Sequence, residues 1–415
     1  MRILFLTQVL PYPLDAGPKV RAYYTLRHLA MRNDATLVSF VRESDTQSAV
    51  DHLRKFCSGV HGVPIRRSRT RDAWYLLRSL TKDVPFVITR DWSPAMAGMI
   101  SRVISECGPF DAVHADQLWM AAYGLLARSM HPPSDRPFIV LDQHNAAYQI
   151  PKRMAASAGS FLNRRLLLLE ASKLARYEVR SCREFDELVF VTEEDRGALR
   201  ACGLGDDMEA RTRVIPISIQ PQSAHISRSD RIGRRVTFMG VLRWPPNAEG
   251  ALWYERFVWP VVSGAVPDAR FTVIGRDPPA VLGKSDPDSI EIAGYVADPD
   301  RYLRETAVFV VPLLAGGGMR VKILEAWAKG LPVVSTTIGA EGLRVADGEN
   351  ILLADRPAEF ARHVIRLLQD PEFAAGLARQ GRRTVEAHYD WREVYPAWDE
   401  VYECASCSSL RMLPA

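Results

Sequence analysis

The sequence predicts an α/β protein of two doubly wound halves, each a mostly parallel sheet flanked by helices. Three observations carry that expectation. Short apolar runs alternate with helix-period segments along most of the chain, the pattern of repeated βα units. A polar, aperiodic stretch at 206–235 interrupts this rhythm, which then restarts. A length of 415 residues accommodates two such domains.

The elements follow in order. "RILFLTQVL" opens the chain as a buried strand and stops at the prolines of "PYP". Pro18 then marks the first turn of a helix. "ATLVSFV", "DAVHAD", "FIVLDQHN" and "ELVFVT" read as further strands, with helices over "QLWMAAYGLLARSM" and 160–183. Past the linker, "RVTFMG", "RFTVIGR", "IEIAGYV", "VFVVPL", "LPVVSTT" and "NILLA" read as strands. Helices are expected over 247–262, 299–305 and 357–388. The predicted domains are 1–205 and 236–385, joined by the linker 206–235. An aromatic segment within 386–415, "YDWREVYPAWDEVY", is expected to return to the first domain. Parallel strands put their binding loops at the C-terminal edges of the sheet, so two Rossmann-like sheets facing each other leave a central cleft.

Composition narrows the function. Hydrophobic residues at 47% permit a large core, and a net charge of +4 gives no footprint of a nucleic-acid binder. The cysteine pair Cys404 and Cys407 has no second pair, so free thiols in a reducing compartment are the plain reading. The N-terminal apolar run is too short for a signal peptide. No window offers the roughly 20 apolar residues of a membrane span. A soluble cytoplasmic protein is expected. Two basic runs, Arg66, Arg67, Arg69, Arg71 and Arg164, Arg165, Lys173, Arg176, are either solvated faces or contacts to an anionic membrane. "WYLLRSL" beside the first run supplies apolar anchors for peripheral docking.

The most informative stretch is "AGGGMRVKILEAWAKGLPVV", residues 315–334. Strand, glycine loop and helix follow one another there, and a helix N-terminus is an anion site by construction. Arg320 and Lys322 add cations at the end of the helix that prefers anions, a conflict that a diphosphate resolves. Glu325 lies one turn deeper on the same face, where a carboxylate can accept from the vicinal hydroxyls of a ribose. The pattern is neither a Walker loop nor the dinucleotide fingerprint. Local chemistry leaves two readings open: a nucleotide diphosphate site, or a tightly packed loop with solvated Arg and Lys.

"GGGMRVKILEAWAKGLPVVST" resembles the donor motif of retaining GT-B glycosyltransferases of the family-four type. The segments "RILFLTQVLPYPLDAGPKVRAYYTLRHLA", "VLDQHNAAY", "FVTEEDRGAL", "FMGVLRWPPNAEGALWYERFVWPVV" and "IAGYVADPDRYLRETAVFVVPL" agree with that family in order. "RWPPN" is most similar to transferases of bacterial exopolysaccharide and extracellular-matrix clusters. The resemblance implies a GT-B architecture with an acceptor-side first domain and a donor-side second domain. It implies a nucleotide-sugar donor, a glycan or lipid-linked acceptor, no further cofactor and no metal. Gly17, Arg243, Tyr295, Val296, Gly316, Gly317, Gly318, Met319 and Glu325 are its implied donor-binding positions, and His144, Arg320 and Lys322 its catalytic ones. Base contacts in such sites run through backbone atoms near 294–296.

Two departures stand out. The first of the family's paired glutamates falls on Gly317, and its usual basic pair falls on Val241 and Pro246, leaving Arg243 as that loop's cation. His144 ends a strand, where it either meets a sugar hydroxyl or bonds a backbone carbonyl. His114 takes an analogous place with a structural or acceptor-side role. Gly17 either lets the first loop approach the diphosphate or is an ordinary turn glycine, and Arg21 is expected to face the cleft. The "DPD" at 298–300 is read as helix capping rather than a metal motif. Competing functions are an inactive nucleotide-sugar-binding protein and another GT-B activity, such as an epimerase or phosphorylase.

Overall fold

Among its described residues the first half forms seven strands, five of them runs of four to eight residues largely buried on both faces, as a helix-covered parallel sheet requires. They are β1 (Arg2–Thr7), β2 (Asp34–Val41), β3 (Gly59–Pro64), β4 (Ala112–Asp116), β5 (Phe138–Gln143), β6 (Glu187–Phe190) and β7 (Thr212–Val214). All pair in parallel, in the order β3-β2-β1-β4-β5-β6-β7. The structure is a computed structural model that describes residues 1–65, 68–80, 83–221 and 233–410, without the side chains of Arg69, Arg71, Leu80, Ser157 and 404–410. Arg66 and Arg67 of the first basic run, part of the linker reading, and the Cys404 and Cys407 thiols therefore lie outside the described residues.

The second half repeats the design. Strands β8 (Arg235–Met239), β9 (Arg270–Ile274), β10 (Ile290–Gly294), β11 (Thr306–Val311), β12 (Val333–Ser335) and β13 (Leu352–Leu353) form a parallel sheet in the order β10-β9-β8-β11-β12-β13. The chain divides into Met1–Ile217 with Val394–Ala415, and Ser218–Glu393. Two doubly wound parallel sheets of this kind are the GT-B fold.

Several elements differ from the sequence expectation, each for a physical reason. β3, "GVHGVP", lacks an apolar run, and β7 has three residues and falls inside the segment read as linker. Residues 44–107 hold helices Gln47–Leu53, Arg69–Leu80, Phe86–Asp91 and Pro94–Cys107, none of them assigned from sequence. The helix expected over 247–262 is Pro245–Trp253 and Trp259–Ala265 joined by a π-turn at Tyr254–Val258. Pro260 has no N–H and crowds the carbonyl a turn before it, which a widened turn relieves.

The aromatic segment near the C-terminus divides between the units. In the second unit the Tyr389 hydroxyl accepts from Arg344 N at 2.8 Å, and Trp391 N donates to Ile219 O at 3.0 Å. Tyr395, Trp398 and Tyr402 are buried in the first unit. Lys173, read as part of a basic surface, is buried and donates to the Ser79 carbonyl. Its aliphatic stem packs inward while Arg164 and Arg165 of the same helix, Phe161–Arg183, stay exposed.

Candidate functional site

In an open parallel sheet, ligands bind beyond the carboxyl ends of the strands where the strand order reverses. In the second sheet that point lies between β8 and β11. The loop after β8, 240–244, and the glycine loop after β11, 312–320, meet there by construction. Gly316 and Gly318 take φ values of 141° and 71°, conformations a side chain disfavours. A Cβ on Gly316 would also lie 2.7 Å from Arg320 Nη2.

The two cations of the motif are held by neutral acceptors. Arg320, buried just ahead of helix Val321–Ala328, folds back and donates to the carbonyls of Gly317, at 2.5 Å, and Gly318. Its other terminal nitrogen reaches Ile338 O at 3.4 Å. It therefore braces the glycine loop through its carbonyls. Lys322 Nζ donates to Asn247 Oδ1 at 2.9 Å and sits 4.6 Å from the Phe238 ring centroid. Asn247 in turn donates to Val241 O at 2.9 Å, which ties the β8 loop to the glycine-loop helix.

The Glu325 carboxylate takes no hydrogen bond or ion pair among the described residues. Both Lys322 and Glu325 keep some accessible surface, yet burial is the largest influence on each. Burial, then Arg320, pushes the Lys322 ammonium down to about 7, with Glu325 acting the other way. Burial raises the Glu325 carboxyl to about 7 against the pull of Lys329 and Lys322.

Around this centre lie the remaining second-unit positions. Met319 is buried. Tyr295 is exposed, with the Arg276 guanidinium 3.7 Å from its ring centroid, and Val296 is half-buried beside it. Gly275 N donates to Gly294 O at 2.8 Å, joining the loops after β9 and β10. Arg243 is two-thirds exposed and lies 4.0 Å from Asp277 at the surface. In "DPD", Asp298 accepts from Asp300 N at 3.0 Å and Asp300 pairs with Lys329 at 2.6 Å.

The first sheet reverses between β1 and β4, and a buried charge cluster occupies that point. Arg21, expected to face the cleft, is fully buried. It donates to Asp142 Oδ2 at 2.9 Å and Oδ1 at 3.0 Å, and to Pro216 O at 3.0 Å. Its guanidinium lies 4.9 Å from the Trp398 ring and 5.5 Å from that of Tyr395. A bidentate fork is the geometry in which a buried Arg–carboxylate pair holds together. Asp142 is drawn below the usual carboxylate range: burial opposes this, and Arg21 and His144 outweigh it.

His114 and His144, alike in sequence, differ in charge. His114 stacks on Phe5 at 4.1 Å and its Nδ1 bonds the Tyr402 hydroxyl at 2.8 Å. Burial, reinforced by Arg21, lowers it to about 3, against the pull of Asp142, so it is neutral and structural. His144 Nε2 lies 2.9 Å from Asp116 Oδ1 and 3.7 Å from Asp142 Oδ2. Burial works against its charge, but these carboxylates outweigh burial and raise it to about 9. The loop after it is stitched by Ala146 N to Asp195 at 2.8 Å and by Ala147 N and Tyr148 N to Glu178 at 2.8 and 3.1 Å. Gly17 is the first residue of helix Gly17–Ala30, which follows β1 and carries Arg21 one turn on.

His114, Asp116 and Asp142 each bring an atom within 4.8 Å of the others. Both Asp142 oxygens already take Arg21, and Asp116 takes His144.

The sequence reading did not assign Asp116, Asn247 or Arg276. Asp116 stands at the end of "VHAD" and Asn247 in "RWPPN", but nothing local shows that one meets His144 and the other Lys322.

Residues 233–370 match the family model described as glycosyl transferases group 1. The matched segment lies within the second unit. A Klebsiella pneumoniae protein of the cps region, described as an uncharacterized 44.6 kDa protein, is 23% identical over 95% of this chain and 98% of its own length. A phosphatidyl-myo-inositol mannosyltransferase of Mycolicibacterium smegmatis is 26% identical over 44% of this chain and 48% of its own length. Among solved structures, sucrose-phosphate synthase from Thermosynechococcus elongatus superposes with a TM-score of 0.71 at 16% identity, over 98% of this chain and 100% of that one. Anabaena HepE with UDP and glucose gives 0.67 at 15%, over 97% and 100%. The glycine loop, Lys322 and Glu325 all lie inside the matched residues, and the match supports glycosyl transfer as the reaction class.

Asp142→Ala would leave the Arg21 charge buried and unpaired. Breaking a buried pair from one side costs about 3–5 kcal/mol, so the variant is expected to lose that much in chemical denaturation followed by circular dichroism. A loss below about 1 kcal/mol would mean the pair contributes no more than a surface bridge.

Proposed function

We propose that the protein is a retaining glycosyltransferase that moves a sugar from a nucleotide-diphosphate donor to a glycan, lipid-linked or small-molecule acceptor. The observation that carries the reading is the group at the reversal point of the second sheet. A glycine loop opens a helix there, Lys322 is held by a neutral amide, and the Glu325 carboxylate has no partner among the described residues. A helix N-terminus and an ammonium suit a diphosphate, and a free carboxylate suits ribose hydroxyls. The UDP and glucose of the HepE structure lend support to a donor of this kind.

In this mechanism charge builds on the departing diphosphate and is met by Lys322, Arg320, Arg243 and the helix N-terminus. A double displacement would need a carboxylate nucleophile. Position 317 is glycine, Asp142 is locked by Arg21 and Asp116 by His144. The acceptor oxygen therefore bonds to the anomeric carbon on the face the diphosphate leaves, and a diphosphate oxygen takes its proton. His144 orients a substrate hydroxyl, and the chain's own cations replace a divalent metal.

Screening nucleotide sugars for release of nucleoside diphosphate is the direct test. Release that survives a chelator, and a product with the donor's anomeric configuration by NMR, are expected. Binding without turnover would favour the inactive binding protein, and an inverted linkage or a covalent sugar adduct would overturn the mechanism.

Donor affinity should depend on pH with two limbs. Glu325 accepts from the ribose only when ionised, so affinity falls as pH drops below about 7. Lys322 attracts the diphosphate only when protonated, so affinity also falls as pH rises above about 7. Titration calorimetry with the nucleoside diphosphate should give a maximum near neutrality, and Glu325→Gln should remove the acidic limb. A flat profile would dissociate both residues from the ligand.

A lipid-linked acceptor suits the surface of the first unit. Helix Arg69–Leu80 exposes Trp74, Leu76 and Leu77, and helix Phe161–Arg183 exposes Phe161, Leu162, Arg164 and Arg165. Exposed apolar side chains beside exposed arginines on one helix fit an anionic bilayer. Flotation with vesicles containing phosphatidylglycerol should carry the protein at low salt, and Leu77→Glu with Phe161→Glu should abolish it. Equal flotation with purely zwitterionic vesicles, or none, would remove this surface from the reading.

A further inference from the structure

The cluster at the reversal point of the first sheet fixes one histidine nitrogen and leaves the other without a partner. His144 Nε2 lies 2.9 Å from Asp116 Oδ1, and a carboxylate there accepts, so Nε2 carries a proton. Nδ1 of the same ring is buried and has no hydrogen-bond partner among the described residues, an uncommon state for a buried polar atom. Asp116 is itself fully buried at the end of β4. The next residue, Gln117, takes φ 74°, a left-handed conformation rare outside glycine, and its N–H donates to Asp142 O at 2.9 Å. Strain of this kind persists only where surrounding structure over-determines it. Here it turns the chain immediately after Asp116 has met His144.

We propose that Asp116 is a positioning residue for the transfer step, holding His144 by Nε2 so that Nδ1 is the nitrogen presented to a substrate oxygen. The inference rests on the glycosyl-transfer reading and deepens it by assigning the polarity of the contact. His144 is charged at neutral pH, so Nδ1–H donates and the ring is not a base toward the acceptor hydroxyl. Its partner is an oxygen that accepts, such as a sugar hydroxyl lone pair or a diphosphate oxygen.

Charges from every element packed on the cluster bear on this state. Asp116 and His114 come from β4, Asp142 from β5, and Arg21 from helix Gly17–Ala30. The returning segment adds the Tyr395 and Tyr402 hydroxyls. Glu178 and Asp195 hold the loop that follows the histidine. Arg21 and Asp142 are paired with each other, which leaves Asp116 as the carboxylate bonded to His144.

Two measurements test the proposal. In the wild-type protein with nitrogen-labelled histidine, NMR should show His144 doubly protonated at pH 7.5, assigned by comparison with His144→Gln, and titrating above pH 8. A neutral ring at pH 7.5, or a proton on Nδ1 with Nε2 bare, would overturn it. The second measurement is the kcat–pH profile of Asp116→Asn, which keeps an oxygen acceptor for Nε2–H and removes the charge. Its kcat at pH 8 should fall about tenfold to a hundredfold, the scale of one charged hydrogen bond. The donor KM should change little, and activity should recover as pH is lowered toward 6. A purely structural role would give a loss that acid does not rescue, and an unchanged profile would equally end the proposal. If the variant does not fold, the wild-type ring measurement still decides. If the donor screen shows no transfer, the glycosyl-transfer reading fails while the ring measurement still reports on the Asp116–His144 bond.

Discussion

A guanidinium with no access to water organises the first unit. Arg21 reaches from the helix after β1 to both oxygens of Asp142 on β5, to the carbonyl of Pro216, and to the faces of Trp398 and Tyr395. Three separate parts of the chain converge on this one side chain. Removing two charges from water is costly, and the mutual attraction repays it only with good geometry and satisfied donors. The fork meets that condition. It also fixes where β5 ends, and so where His144 stands, before any ligand is considered. Tyr402, bonded to His114 on the neighbouring strand, extends the support from the same returning segment.

Much of the architecture was legible in the sequence because buried parallel strands write themselves as apolar runs. β1, β2, β4, β5, β8, β9 and β11 all carry that signature. β3 and β7 do not: one is punctuated by glycine and proline, the other is too short to show a period. Nor did the sequence separate one long helix from two joined by a π-turn, although Pro260 was the available signal. Boundaries failed where tertiary packing, rather than local chemistry, ends an element.

The site divides in the same way. Glycine loop, cations and carboxylate were readable because their spacing along one strand–loop–helix unit is a local fact. Partners contributed by distant segments were not. Asn247 meets Lys322 from 75 residues away, and Asp116 meets His144 from 28. Burial was the other blind spot. Arg21 and Lys173 carry full charges, and a charge in sequence reads as surface. Their neighbours, Asp142 and the Ser79 carbonyl, are what make the interior tolerable. His114 and His144 make the point most sharply, since one lies near the end of β4 and the other directly follows the neighbouring β5. One stacks on Phe5 and is neutral, while the other faces Asp116 and is charged.

The two reversal points therefore hold their cations in opposite ways. In the first sheet, Arg21 and His144 stand against Asp142 and Asp116, two positive groups with two negative ones, and the cluster is neutral within itself. Such a cluster positions groups without drawing an anion. In the second sheet, Lys322 donates to an amide oxygen and Arg320 to main-chain carbonyls. Glu325 is the nearest carboxylate acting on Lys322, and burial disfavours its ionisation. The two sheets, built from the same βα unit, thus surround their cations differently. The difference lies in whether each cation was given a carboxylate or a neutral oxygen.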